Sequence, residues 1–225
     1  MIVAIDGTVS SGKSTIARLL AHKVGFTYVN TGAMYRAITI KVINQNMQDA
    51  SAEEITKMAK QTKIKLKMSN DGKLVVLLDG EDVTNIINTP LISQNVAKYS
   101  QIVGVREVVK KLQKQIALKT DSVVEGRDIG TVVFPSAELK VFMTASVETR
   151  AQRRLNDYIK MGKDCSLKQV MEEIKARDKA DMEREVSPLK PSEDAIIYYN
   201  EGSDINKVLE DLSLLIKVKK ESLQA

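Results

Sequence analysis

The chain has 225 residues, with 34 Lys and Arg against 29 Asp and Glu, for a formal net charge of +5. At 43% hydrophobic and 28% charged it has globular composition, and its length suits one large domain or one domain with an insertion. A single Cys excludes a disulfide framework and a Cys-rich zinc site. No apolar run approaches the roughly 18 residues needed to cross a bilayer, and Asp6 and Gly7 come too early for a leader peptide. A cytoplasmic protein is expected, and the basic balance leaves nucleic acid, membrane surface and small phosphorylated ligands open as partners.

Ile2-Val3-Ala4-Ile5 reads as a short buried strand. A glycine-rich segment follows and opens a helix, with Ile16, Leu19, Leu20 and Val24 at helical spacing and Gly25 as terminator. Phe26 to Asn30 predicts a second strand, and Thr31 the cap of a second helix carrying Met34, Ile38 and Val42. This alternation favours a parallel sheet covered by helices. The pattern then changes. Lys63 to Met68 alternates polar and apolar, Leu74 to Leu78 is apolar, and Ser69-Asn70-Asp71-Gly72 between them suits a hairpin turn. An antiparallel hairpin inside an alternating chain predicts an inserted subdomain at residues 60–97, leaving 1–59 and 98–225 as the core. Strand-like runs resume at Ser122 to Glu125, Leu139 to Met143 and Ala195 to Tyr198.

Between the last two lies charged helical sequence. Arg150, Arg153 and Arg154 fall on one helix face, as do Arg177, Asp181 and Arg184. That regularity favours a site over a merely solvated surface.

Gly7-Thr8-Val9-Ser10-Ser11-Gly12-Lys13-Ser14 matches G-x-x-x-x-G-K-[ST] at every fixed position, between a predicted strand and a predicted helix. Successive amides in such a loop, with the helix N-terminus behind them, cradle phosphate oxygens. Lys13 is expected at the β- and γ-phosphates and the Ser14 hydroxyl on Mg²⁺, with Thr15 completing the triphosphate-binding stretch. No DxxG or NKxD element marks a GTPase. The many arginines suit a small-molecule kinase instead, where charge on two anions must be neutralised and the planar guanidinium fork binds phosphate bidentately. Gly126-Arg127-Asp128-Ile129-Gly130 directly follows a strand, at the sheet edge where α/β proteins bind ligands.

Thr31-Gly32-Ala33-Met34-Tyr35-Arg36, Glu125 to Val133 with its Gly-Arg-Asp-Ile-Gly core, and Arg177-Asp178-x-x-Asp181-x-x-Arg184 closely resemble the signature blocks of bacterial cytidylate kinases. The likeness runs from Met1 to about Ile197 and includes the loop and the inserted hairpin. It implies a three-layer P-loop kinase with a parallel central sheet, a nucleoside-monophosphate-binding insert and a short helical lid at about 150–184. The implied reaction moves the γ-phosphoryl group of ATP, with Mg²⁺, onto CMP or dCMP in pyrimidine metabolism. By motif, Arg36, Arg127 and Arg184 hold the CMP phosphate, Tyr35 lies against the base, Arg106 and Asp128 read the cytosine edge, and Arg177 and Asp181 contact the sugar. Lys13, Arg127, Arg184 and the lid's Arg154 are the implied catalytic set, with Arg150 and Arg153 as alternatives for the arginine that reaches the transferring group, and Glu125 reaches Mg²⁺ through water.

The chain departs from the family pattern at Thr8-Val9-Ser10, where a proline and small residues are usual, and at Glu125, Ala97 and Ala180, where Asp, Ser and Arg are common. A monomer without nucleic-acid or membrane partners is expected. The rival readings are a P-loop kinase for UMP, AMP or shikimate, and an ATP-regulated nucleic-acid-binding module. The nine Phe and Tyr residues, which do not interleave with the basic clusters, argue against the second.

Overall fold

In the computed structural model, which describes residues 1–69, 71–202 and 204–224, the first apolar run is strand β1 (Ile2–Gly7), buried along its whole length. Burial on both faces is what an unbroken aliphatic run requires. Helix α1 (Lys13–Val24) follows the glycine loop and stops at Gly25, whose left-handed φ of 71° turns its amide back onto the last carbonyls. Then come β2 (Thr27–Asn30), α2 (Thr31–Asn44), α3 (Ala52–Gln61), β3 (Ile64–Met68), β4 (Leu74–Leu78), β5 (Glu81–Asp82), α4 (Pro90–Ser100) and α5 (Val103–Ala117). The remainder is β6 (Ser122–Glu125), a π turn (Ile129–Val133), β7 (Leu139–Thr144), α6 (Val147–Lys160), α7 (Leu167–Glu183), β8 (Ile196–Tyr199) and α8 (Ile205–Gln224). Two compact units result, residues 1–27 with the chain from 120 onward, and Tyr28–Lys119.

In the first unit β6, β1, β7 and β8 lie side by side, all parallel. Ile5 pairs with Glu125, Gly7 with Met143, and Thr144 with Tyr199. Thr27, the first residue of β2, extends the β6 edge by donating its amide to Asp121 O at 2.9 Å. Helix α1 packs with α8. Parallel strands bring their carboxyl ends to one edge of the sheet, so the segments following β1, β6, β7 and β8 gather there. Helices α6 and α7 pair around a small core of Ala151, Tyr158, Val170 and Ile174. Among the described residues no helix is long and apolar enough to cross a membrane.

In the second unit β3 and β4 form the expected antiparallel hairpin, with Ile64 opposite Leu78 and Met68 opposite Leu74. Asn70 of its turn lies outside the described residues, and the flanking Ser69 amide donates to Lys73 O. The hairpin gains a third, two-residue strand, β5, too short to show in the alternation. Helix α3 begins in a reciprocal capping box between Ser51 and Glu54. It packs against α5 at Gly104, where a Cβ would stand 2.3 Å from Thr56 Oγ1.

Two expectations are corrected. Asn30, not Thr31, caps α2: its side chain accepts the Ala33 amide at 2.8 Å, while Thr31 is already helical. Arg184 does not continue the face of Arg177 and Asp181, because α7 ends at Glu183 and Arg184 is extended.

Candidate active site

The loop from Gly7 to Ser14 is shaped by close approaches that side chains would block. Gly7 has φ +153°, and a Cβ there would stand 1.9 Å from the Met143 carbonyl oxygen. Gly12, at φ +89°, leads into α1, and a Cβ would meet Asn200 Nδ2 at 2.7 Å. The Thr8 amide donates to Met143 O at 3.2 Å, a bond unavailable to a proline. Two loop carbonyls are then held from outside. Val9 O accepts from Arg150 Nη1 at 3.1 Å, and Ser11 O accepts from Asn200 Nδ2 at 2.9 Å and Arg153 Nη1 at 3.3 Å.

Lys13 opens α1 and is buried, with Nζ donating to Thr8 O at 2.9 Å. Burial, with the Arg127 charge adding to it, pushes its pKa down to about 7 against the pull of Glu125, Asp181 and Asp6. The next residue, Ser14, is exposed and donates its hydroxyl to Glu125 Oε2 at 2.7 Å. Thr15 is exposed. Ser11 is fully buried, and its hydroxyl has no hydrogen-bond partner among the described residues.

Beyond β6, Arg127 Nε donates to Asp181 Oδ2 at 3.0 Å, and Arg177 Nε reaches the same oxygen at 3.3 Å. Burial alone would raise the Asp181 pKa. The Arg127 and Arg177 guanidiniums outweigh it and hold the carboxyl below its ordinary value. Arg184 Nη2 lies 3.8 Å from Asp128 Oδ1, both side chains buried, and Arg184 Nε donates to Ser187 O. The structure thus brings Lys13, Ser14, Glu125, Arg127, Asp128, Arg177, Asp181 and Arg184 together at the carboxyl edge of one unit. Asp6 underlies this group. Its carboxylate accepts the Ile129 amide at 2.8 Å and the Gly130 amide at 2.7 Å, fixing the Gly126–Gly130 segment to the end of β1.

The three lid arginines separate. Arg150 and Arg153 turn to the loop carbonyls, and Arg150 also pairs with Asp178 and donates to Ala145 O. Arg154 lies over the Tyr158 ring at 4.7 Å and 3.6 Å from Glu173 Oε1. Within the second unit the Arg106 guanidinium stands 5.6 Å from the Tyr35 ring, and its Nη1 donates to Ser100 O. Arg36 Nη1 donates to Ser93 Oγ at 2.8 Å and Ile87 O at 3.3 Å.

Motif reading misses Asp6 and Asn200, and it gives no role to Asp178, which stands inside a signature block. The backbone groups these three side chains bond lie 123, 169 and 189 residues away. The one local signal was the acid ending a buried strand next to the glycine loop.

A buried parallel strand running through a Gly-x4-Gly-Lys-Ser loop into a helix, with an acid at the end of the adjacent strand, is the architecture of a P-loop nucleotide-binding protein. A family model described as cytidylate kinase matches residues 3–218. The cytidylate kinase of Carboxydothermus hydrogenoformans is 43% identical over 223 residues, covering 99% of this chain and 100% of the relative. That of Caldicellulosiruptor saccharolyticus is 44% identical over 217 residues, 96% of each chain. That of Caldanaerobacter subterraneus subsp. tengcongensis is 48% identical over 195 residues, 87% of this chain and 85% of the relative. The chain belongs to the cytidylate kinase family.

Proposed function

We propose that the protein transfers the γ-phosphoryl group of ATP to CMP or dCMP, giving ADP and CDP or dCDP. The family match over residues 3–218 carries this reading. The Gly7–Ser14 loop takes the triphosphate, with Lys13 released from the Thr8 carbonyl to neutralise developing charge on the transferred group. A phosphate oxygen of CMP forms the new bond to the γ-phosphorus as the bond to the β–γ bridging oxygen breaks. That oxygen is already an anion, so no general base is required, and catalysis rests on alignment and charge neutralisation.

Arg36, Arg127 and Arg184 hold the acceptor phosphate, with Tyr35 against the base and Arg177 and Asp181 at the sugar. Arg106 and Asp128 read cytosine. A carboxylate accepts from the exocyclic amine of cytosine but would face another acceptor on uracil, which selects against UMP. Arg154 is read as a lid residue acting on the transferring group. The Ser14 hydroxyl and Glu125 carboxylate support Mg²⁺ as cofactor. Both are hard oxygen donors, and Mg²⁺ characteristically takes few protein ligands and fills its octahedron with phosphate oxygens and water. When bound, Mg²⁺ neutralises and orients the triphosphate. Residues 60–97 are read as the acceptor-binding insert and 150–184 as the lid, in a cytoplasmic monomer.

An acceptor panel of CMP, dCMP, UMP, AMP and shikimate, run with ATP and Mg²⁺ in a coupled ADP-release assay, tests the reading. CMP and dCMP are expected to turn over fastest. Faster turnover of any other acceptor overturns it.

A further inference from the structure

Val9 is the loop residue most completely held from outside. Its amide donates to Asp178 Oδ1 at 3.2 Å, its carbonyl accepts from Arg150 Nη1 at 3.1 Å, and its side chain packs on the Ala151, Tyr158, Val170 and Ile174 cluster between α6 and α7. Arg150 and Asp178 are themselves a buried ion pair, one from each helix of the hairpin. Arg150 is further fixed by donating Nε to Ala145 O at 2.9 Å. One guanidinium and one carboxylate therefore satisfy both backbone polar groups of a single loop residue and join the two helices at the same point. Three positions further along α6, Arg153 holds the Ser11 carbonyl.

A loop that presents amides to phosphate must leave carbonyls on its other side, and these need donors of their own. Charge-assisted hydrogen bonds from buried, paired groups are well suited to fix such a backbone. Neither Arg150 nor Asp178 is required to touch a nucleotide for this. We propose that Arg150 and Asp178 are positioning residues for the ATP subsite, which set the backbone of the Gly7–Ser14 loop at Val9 and couple it to the α6–α7 hairpin. The inference rests on the reading of that loop as the triphosphate cradle. It separates the lid arginines by task, with Arg150 directed at the loop's own backbone rather than at the transferring phosphoryl group.

The test is steady-state kinetics on the full chain, varying ATP and CMP separately, for Asp178→Asn and Arg150→Lys, with melting temperatures measured alongside. Asparagine keeps an acceptor for the Val9 amide but removes the charge. Lysine keeps a charge but loses the fork that spans Ala145 O, Val9 O and Asp178. Each variant is expected to raise KM for ATP about tenfold, the scale of one weakened charge-assisted hydrogen bond, with KM for CMP within about twofold of the parent. An equal rise in both KM values, a fall in kcat with both unchanged, or unaltered kinetics each overturns the proposal.

If neither variant folds, Val9→Ala is assayed instead; it loosens only the apolar anchor. A smaller rise confined to KM for ATP supports the proposal, and unchanged kinetics overturn it. Lys13→Ala is assayed in parallel. Near-parental turnover in that variant strikes the cradle reading itself, not the assignment of Arg150 and Asp178.

Discussion

Lys13 Nζ donates to the carbonyl oxygen of Thr8 at 2.9 Å, so the buried ammonium folds back on its own loop. With its pKa pushed down to about 7 by burial and by Arg127, the free protein holds it only partly protonated near neutrality. A triphosphate bound beside it favours the charged form. Above pH 7 the complex then holds more protons than its free components, so nucleotide binding takes up protons and its affinity falls as pH rises. Calorimetry of Mg–ATP binding at pH 8 in buffers of different ionisation enthalpy should give an apparent enthalpy that tracks the buffer. The dependence should vanish in Lys13→Arg, which stays charged. A buffer-independent enthalpy in the parent protein would refute the coupling.

Lys13→Ala should nearly abolish phosphoryl transfer while leaving the fold intact. Truncation takes a donor from the Thr8 carbonyl and a positive charge from beside Glu125, Asp181 and Asp6, but it also relieves the burial of a cation. The check pairs a turnover assay with circular dichroism. CMP kinase rates close to the parent, in a folded variant, would contradict the role given to this loop.

Asp128 is buried and faces Arg184. Asp128→Ala should lower kcat/KM for CMP by on the order of a hundredfold, while UMP, which gains nothing from the carboxylate, falls less than about tenfold. Competing CMP and UMP under identical conditions measures the ratio directly. Equal losses for both acceptors would remove Asp128 from base reading.

Asp6 works one layer deeper. Both carboxylate oxygens accept amides of the segment that carries Arg127 and Asp128. In Asp6→Asn one oxygen becomes a carboxamide NH2, a donor facing an amide donor, at a cost of about 1–3 kcal/mol. Activity toward CMP should fall without any change at a nucleotide contact. Burial raises the Asp6 pKa to about 6 despite the two amide bonds that pull it down. The folded chain therefore binds a proton between about pH 4 and 6 that the unfolded chain has released, and this group's contribution to stability declines as pH rises through that window. Denaturant titrations across it should show a flatter slope in Asp6→Asn. An identical slope in parent and variant would argue against this assignment.

Gly104 gives a prediction about the fold alone. Alanine normally favours a helix over glycine by about 1 kcal/mol, but here the added Cβ meets Thr56 Oγ1 at 2.3 Å and Cγ2 at 2.4 Å. Gly104→Ala should destabilise by about 1–3 kcal/mol through overpacking of α3 against α5. Denaturant unfolding decides the sign; a more stable variant would mean that the helices separate easily.

Local patterns were readable from the chain. The β1–loop–α1 unit needs only an aliphatic run, two glycines and a helical repeat, and the β3–β4 hairpin follows from alternation around a polar turn. The face shared by Arg150 and Arg153 was also visible, because it depends only on helical geometry. What those arginines point at was not: the Val9 and Ser11 carbonyls reach them only once β1, β7 and α6 are assembled. Threonine commonly caps helices, which points to Thr31, yet Asn30 stands one residue earlier and caps at least as well. Asp178 stands in a signature block, but nothing local gives it a role, because its partner Arg150 meets it only when α6 pairs with α7. Asn200 lay beyond the last recognisable motif.

That asparagine ties the fate of the loop to the outermost strand of the sheet. It follows β8, a strand of four residues whose Ile196, Ile197 and Tyr199 remain exposed. Its own amide is bonded to Thr144 O and its carboxamide to Ser11 O. Strands at a sheet margin are the first to fray when a protein is warmed, well before the centre gives way. Fraying here would withdraw the support beneath Ser11 while β1, β6 and β7 were still paired. Heat should then silence the protein before it melts, and the gap between the two temperatures would measure how firmly β8 is held.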